Sequence, residues 1–283
     1  MGKVDWKGFL ARFAQFGRDP TPTRYLDLFA TGGTVQHPGM PRPVAGDEIG
    51  RFISTALSAV PDFRLEPARW CARDDTLFVE AASSGTVHGA YTTWPAIYCV
   101  ALRGDRVIRG RSYYDRAAVL ARRESGASFL PIGKAAAEAS RDGEHLDLPG
   151  LQADLIEPYI NNWHDPKPER FAEFYASTGR LLAPGVPRPF SGDDIVRHYR
   201  AELAGMDELR RHCETWAARS GLAFFEWRMA GAVAGRPFDI GAAERLTLDG
   251  FRITEGASYF DSLALAAVRD PSITPGTVFE LAQ

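Results

Sequence analysis

Pro38-Gly39-Met40-Pro41-Arg42-Pro43-Val44-Ala45-Gly46-Asp47-Glu48-Ile49 returns as Pro184-Gly185-Val186-Pro187-Arg188-Pro189-Phe190-Ser191-Gly192-Asp193-Asp194-Ile195. The offset is 146 positions, from Pro38 to Pro184, and it holds without a gap in both directions. It pairs Asp19-Pro20 with Asp165-Pro166, Trp70 with Trp216 and Glu80 with Glu226. It also pairs Ser112-Tyr113-Tyr114-Asp115 with Ser258-Tyr259-Phe260-Asp261. Between 18–121 and 164–267 roughly thirty positions are identical. A unit of this length is too long for one turn of a solenoid, so each copy is expected to be a whole small domain. The domains read as 1–121 and 149–268, joined by a linker over 122–148 and followed by a tail over 269–283. The linker holds an Ala-rich piece, Lys134 to Ala139, that suits a short helix.

Composition sets the class. With 283 residues, 45% hydrophobic and 24% charged, the chain can fill two ordinary globular cores. A formal net charge of −3 argues against a nucleic-acid or anionic-membrane partner. No apolar run approaches 18 residues and no leader pattern opens the chain, so the expected location is cytoplasmic. Cys71, Cys99 and Cys213 are an odd number with no paired spacing, which reads as reduced core thiols rather than a disulfide framework or a metal site.

Within each copy, helical periodicity comes first. Trp6, Phe9, Leu10, Phe13 and Phe16 fall at helical spacing, and Asp19-Pro20 breaks that helix. A second helix, capped by Thr23 or a neighbour, carries Tyr25, Leu26, Leu28 and Phe29. The segment Pro38 to Gly46 is too rich in Pro and Gly for regular structure. Asp47 and Glu48 open a third helix, which ends near Pro61. From about Arg64 strands follow. Arg69–Ala72 pairs with Thr76–Ser83, and Ala96–Leu102 with Arg106–Tyr114 around Gly104-Asp105. Helices followed by a meander of long strands predict an α+β fold with helices on one face of a curved sheet.

The loop into Gly46-Asp47-Glu48-Ile49, the strand Leu77-Phe78-Val79-Glu80, the stretch Gly85-Thr86-Val87-His88-Gly89 and the closing Gly104-Asp105-Arg106-Val107 to Ser112-Tyr113-Tyr114-Asp115 carry a resemblance. Each copy resembles the SnoaL-like group of the nuclear transport factor two-like superfamily. That resemblance implies tandem cone-shaped α+β barrels, each a curved, mostly antiparallel sheet with three helices closing a pocket. The superfamily includes polyketide cyclases, ketosteroid isomerases, scytalone dehydratase, limonene epoxide hydrolase, aldol-type lyases and plain binding proteins, so the fold alone does not name an activity. Its enzymes generally use acid–base residues facing the cone and no cofactor, and no cofactor or metal is expected here. In a loose alignment, the limonene epoxide hydrolase set falls on Glu80, Ala82 and Ser112, which departs from that chemistry.

Candidate catalytic residues follow from polarity, alternation and the difference between copies. The alignment puts Glu80, and hence Glu226, on the cavity face. Desolvation there would suit a general base, while pairing with Arg69 or Arg228 is the structural alternative. His37 and His88 have Ala183 and Ala234 as counterparts, so the fold does not require them, and both fall on pocket-rim elements. Tyr98 and Tyr114 could donate to a substrate oxygen or simply pack. Asp115 closes the last strand and serves equally well as a helix cap. In the second copy Arg228, Asp239 and Glu244 join Glu226 as either a polar site or a salt-bridged plug. Two functions stay open: a cofactor-free lyase, isomerase or cyclase acting on a small hydrophobic or aromatic molecule, or a binding scaffold without turnover. The two copies are expected to form an internal pseudo-dimer through their outer sheet faces, with a homodimer also compatible.

Overall fold

Phe9, Phe13 and Phe16 lie along one stripe of α1 (Trp6–Arg18) and are buried, as their spacing requires. Asp5 caps that helix, its carboxylate accepting from Gly8 N at 2.9 Å. The computed structural model describes residues 4–120, 148–186, 188–273 and 276. The linker over 122–148, with its Ala-rich piece, and the tail beyond 273 lie almost wholly outside those residues. The described residues fall into two compact units, 4–120 with Gly276, and 148–273.

In the first unit α2 (Pro22–Leu26) is shorter than expected. Thr21, not Thr23, caps it, and Phe29 already begins β1 (Phe29–Gln36). The Pro-rich loop contains a two-residue strand, β2 (Val44–Ala45), pairing with Thr34 and Val35, so it is not wholly irregular. Gly46 then enters α3 (Asp47–Ala59) at φ 53°, and Gly192 makes the same turn at φ 53°. A side chain is strained at that angle, which explains the invariance of this glycine between copies. Four long strands follow: β3 (Arg64–Arg73), β4 (Thr76–Val87), β5 (Ala90–Arg103) and β6 (Arg106–Tyr113). The β4–β5 hairpin outruns the sequence expectation because His88 and Gly89 both take positive φ, 51° and 76°, and close a two-residue turn. The sheet order is β2-β1-β6-β5-β4-β3, with β1 parallel to β6 and every other pair antiparallel. After it comes α4 (Arg116–Leu120).

The second unit repeats this order. Its opening helical run is α5 (Pro149–Leu151), a π-helical turn (Gln152–Ile156) and α6 (Glu157–Asn162), followed by α7 (Pro168–Glu173). Then come β7 (Tyr175–Leu182), β8 (Phe190–Ser191) and α8 (Asp193–Gly205). The strands β9 (Asp207–Arg219), β10 (Leu222–Val233), β11 (Arg236–Asp249) and β12 (Arg252–Phe260) complete a sheet of order β8-β7-β12-β11-β10-β9 before α9 (Ser262–Arg269). Each unit is therefore the expected α+β design, a six-stranded mixed sheet with helices against its inner face. Cys71 and Cys99 are buried thiols, and Cys213 is a half-buried one. Among the described residues no helix is long and apolar enough to cross a membrane.

Candidate functional site

Strand register decides what faces the cone. Across β3, β4 and β5, Leu65 stands opposite Ser83, Ser83 opposite Trp94, and Val79 opposite Tyr98. Directly opposed residues share a face, so this set points at the helices, and Leu77, Val79 and Ala81 pack into the core with Phe9, Phe13 and Ile53. Glu80 belongs to the other face. It stands opposite Arg69, whose Nη1 donates to Glu80 Oε2 at 2.7 Å, and it is 1% exposed. The expectation that Glu80 lines the cone is thus corrected in favour of its structural alternative. Both faces of β4 are apolar and buried, with Phe78 outside and Val79 inside each at 0%, so alternation separated two sets without choosing between them. Glu226 takes the same outward place in the second sheet.

The inner face of the first sheet and helices α1 to α3 line a pocket whose empty space, counting the open solvent at its mouth, is about 520 Å3. Its walls are aromatic: Phe13, Phe16, Phe52, Phe63 and Trp94. Six lining residues bring polar side-chain atoms, namely Tyr25, His37, Ser83, Trp94, Tyr98 and Tyr114. No lining residue is Asp, Glu, Lys or Arg. A wall of this kind offers aromatic contact, a few hydroxyls and no charged side chain.

His37 is the polar centre of that wall. It follows the last residue of β1, where a tight turn has Met40 N donate to His37 O at 3.1 Å. Its ring stacks at a tilt on Phe52, centroids 4.6 Å apart. Nε2 lies 2.9 Å from the Tyr25 hydroxyl and Nδ1 lies 2.7 Å from Ser112 Oγ. Burial lowers the imidazole to about 3, so it is neutral at physiological pH. Tyr25 is raised by burial, then by the nearby Tyr98 and Tyr114, and Tyr98 is raised by burial to about 12, so both remain phenols. Tyr98 Oη is 3.4 Å from Ser83 Oγ, and its ring meets Phe13 edge-on at 5.1 Å.

A stability prediction follows from His37. In the unfolded chain this imidazole takes up a proton near 6.5, whereas in the folded chain it does so only near 3. Between those values the unfolded state binds the extra proton, so stability falls as pH falls, by up to about 1.4 kcal/mol per pH unit. Melting temperature measured from pH 7 to pH 4 should drop more steeply in the wild type than in His37→Gln. Parallel curves would show that the imidazole titrates in the ordinary range.

The remaining sequence candidates disperse. His88 is exposed at the β4–β5 turn and does not line the cavity, which corrects its rim placement. Asp115 follows β6 and caps α4, with Oδ1 accepting from Ala117 N at 3.2 Å, so the cap reading holds. Tyr98 and Tyr114 do line the cavity. Arg228 and Asp239 pair with each other at 2.7 Å on the outer face with side chains 59% and 48% exposed, a contact worth about 0–1 kcal/mol. Glu244 faces inward, so the expected Glu226–Arg228–Glu244 cluster does not form. Sequence reasoning had placed Tyr25 only as a helix residue and Ser112 only as a family position. Their signal lay in the copies: Tyr25 and His37 become Phe171 and Ala183 together, while Ser112 persists as Ser258.

The second cone carries polar side chains where the first is apolar. Where the first has Leu65, Ala56, Ile53 and Tyr98, the 146 offset places Arg211, Glu202, Tyr199 and Glu244. Arg211 Nη2 donates to Glu202 Oε1 at 2.5 Å, and its guanidinium stacks over the Trp163 ring at 3.9 Å. Tyr159, in the place of Phe13, donates to Glu244 Oε1 at 2.9 Å. Burial raises Glu244 above the ordinary carboxylate range, offset in part by Arg211. The plug expected of Glu226, Arg228 and Glu244 does not form, and the polar contacts inside the second cone are made by Arg211, Glu202, Tyr159 and Glu244.

Residues 156–256 match the SnoaL-like domain family. No curated protein matches the chain. An NTF2-like protein from Burkholderia thailandensis E264 is 17% identical over 43% of this chain and 98% of its own, with a TM-score of 0.39. A protein with a ketosteroid isomerase-like fold from Catenulispora acidiphila DSM 44928, solved with trimethylamine, is 16% identical over 40% and 89%, TM-score 0.37. A candidate SnoaL-like polyketide cyclase from Jannaschia sp. CCS1 is 16% identical over 42% and 95%, TM-score 0.36.

Proposed function

We propose that this chain, which carries a SnoaL-like domain and a second copy of the same strand order, is a cofactor-independent isomerase, cyclase or lyase. It acts in the first cone by general acid–base catalysis on a small, neutral, largely aromatic molecule. The observation that carries this reading is the convergence of a neutral imidazole and several phenols on an otherwise apolar cavity. A group of this kind can take a proton beside a carbonyl or hydroxyl and return it elsewhere on the same molecule. At rest the lining holds no charged side chain, so the imidazolium exists only while the proton is in transit. The second copy is a scaffold in this reading, because its cone is occupied by bonded side chains.

Two probes test it. 2-Naphthol, followed by fluorescence, should bind at least about tenfold more tightly than 2-naphthoate, because the cavity offers the carboxylate no cation and desolvation penalises it. Equal binding of the two, or none of either, would remove the neutral-ligand reading. For the chemistry, the α-protons of 2-tetralone should exchange with D2O in the presence of the protein and not with His37→Ala. Glu80→Gln should leave exchange per folded molecule unchanged.

A further inference from the structure

His37 touches two hydroxyls that differ in acidity and in position. Tyr25 lines the cavity, whereas Ser112 stands on β6 opposite Tyr98, 5% exposed and outside the cavity lining. We propose that Tyr25 is the catalytic residue that exchanges a proton with the bound molecule, through a relay from Tyr25 Oη to His37 Nε2, with Ser112 as the positioning residue that holds Nδ1. This deepens the first-cone reading and rests on it for the chemistry, though the arrangement of the relay itself can be tested without any substrate.

The direction of the hydrogen bonds follows from the groups. A phenol is a stronger donor than an aliphatic hydroxyl, and an aliphatic hydroxyl oxygen is the better acceptor. The arrangement that uses both is Tyr25 O–H donating to Nε2 and Nδ1–H donating to Ser112 Oγ. It leaves the lone pairs of Tyr25 turned to the cavity. When the bound molecule gives up a proton, the Tyr25 oxygen takes it as the phenol's own proton passes to Nε2. Both imidazolium N–H groups then still have acceptors, Tyr25 Oη at 2.9 Å and Ser112 Oγ at 2.7 Å. Reversal returns one proton to another atom of the molecule or to its leaving group, so the balance closes without a co-reactant. The imidazolium is disfavoured in this burial, so the proton is handed back rather than stored.

The second copy is an internal control. Its strands run in the same register, yet Phe171 and Ala183 replace Tyr25 and His37. Ser258, the counterpart of Ser112, turns to Glu244 Oε1 at 3.5 Å instead. The fold therefore forms without the relay, and Tyr25 and His37 of the first copy answer to something other than folding.

The decisive measurement is 15N–1H NMR of the imidazoles, with His37 assigned by its loss in His37→Gln. The wild type should show a single Nδ1–H tautomer from pH 5 to 8. Ser112→Ala should mix in the Nε2–H form, and Ser112→Thr should restore the wild-type pattern. An Nε2–H tautomer in the wild type, or no response to Ser112→Ala, overturns the assignment of Ser112. With 2-tetralone, Tyr25→Phe should lower kcat for exchange about 100-fold and change KM by less than about threefold. Unchanged kcat in a folded Tyr25→Phe overturns the role of Tyr25. Absence of exchange in the wild type would instead count against the proposed reaction class, with the tautomer pattern still deciding the relay.

Discussion

Replacing Arg69 by methionine is expected to destabilise the protein by about 3–5 kcal/mol, because it strips a guanidinium at 2.7 Å from a carboxylate that is 1% exposed. The methionine keeps much of the apolar contact of the arginine stem, so the loss reports the charge and not a cavity. On a unit of this size the shift in melting temperature should be roughly 10–20 °C. Adding Glu80→Gln to Arg69→Met should recover a large part of it, since the group left behind is then neutral. The comparison that matters is with exchange on 2-tetralone. Both variants should exchange normally per folded molecule, because Glu80 stands on the outer face of β4 and the cavity opens on the inner one. If Glu80→Gln folds with unchanged stability but loses exchange, the outward placement of Glu80 has no functional meaning and the site must be redrawn around it.

Glu80 also shows where sequence reasoning stops. The repeat, the helix and strand order and the turn glycines were legible because each follows from local chemistry: periodicity, a Pro-Gly loop, a positive φ at Gly46 and Gly192. The facing of β4 was not. In an antiparallel sheet with one wet side, polar residues would have marked the outer face. Here Phe78, Ile97 and Cys71 are as buried on that face as Val79 and Leu77 on the other, so polarity carries no directional signal. His88 failed for a different reason. Its absence from the second copy was read as freedom for function, whereas the position only needs a residue that tolerates φ near 51° in a two-residue turn, and Ala234 does the same. His37 lines the cavity, and its loss in the second copy is correlated. Tyr25 changes with it in the second copy, and the two side chains are hydrogen-bonded in the first. Correlated differences between copies were more informative than shared residues, and the second cone repeats that lesson.

Leu65 and Ala56 become Arg211 and Glu202 in one exchange of an apolar pair for an ion pair in the interior. Arg211→Leu alone is expected to cost about 3–5 kcal/mol, since Glu202, with its side chain 9% exposed, loses the guanidinium at 2.5 Å and Trp163 loses its stacked cation. Adding Glu202→Ala removes the stranded carboxylate and recreates the pair that the first copy uses. The double variant should therefore be more stable than Arg211→Leu, with a coupling energy of about 1–3 kcal/mol in a double-mutant cycle read by urea unfolding. Simple additivity would mean that the two residues are independent surface-like groups rather than halves of one plug. The double variant should still bind a single equivalent of 2-naphthol. Tyr199 stands where the first copy has Ile53, stacked on Phe171 at 4.1 Å, and Tyr159 remains bonded to Glu244, so removing the ion pair alone does not open the cone. A second equivalent that appears only in the double variant would show that the ion pair by itself closes the second site, and that the first cone's cavity is the state from which the second copy departed.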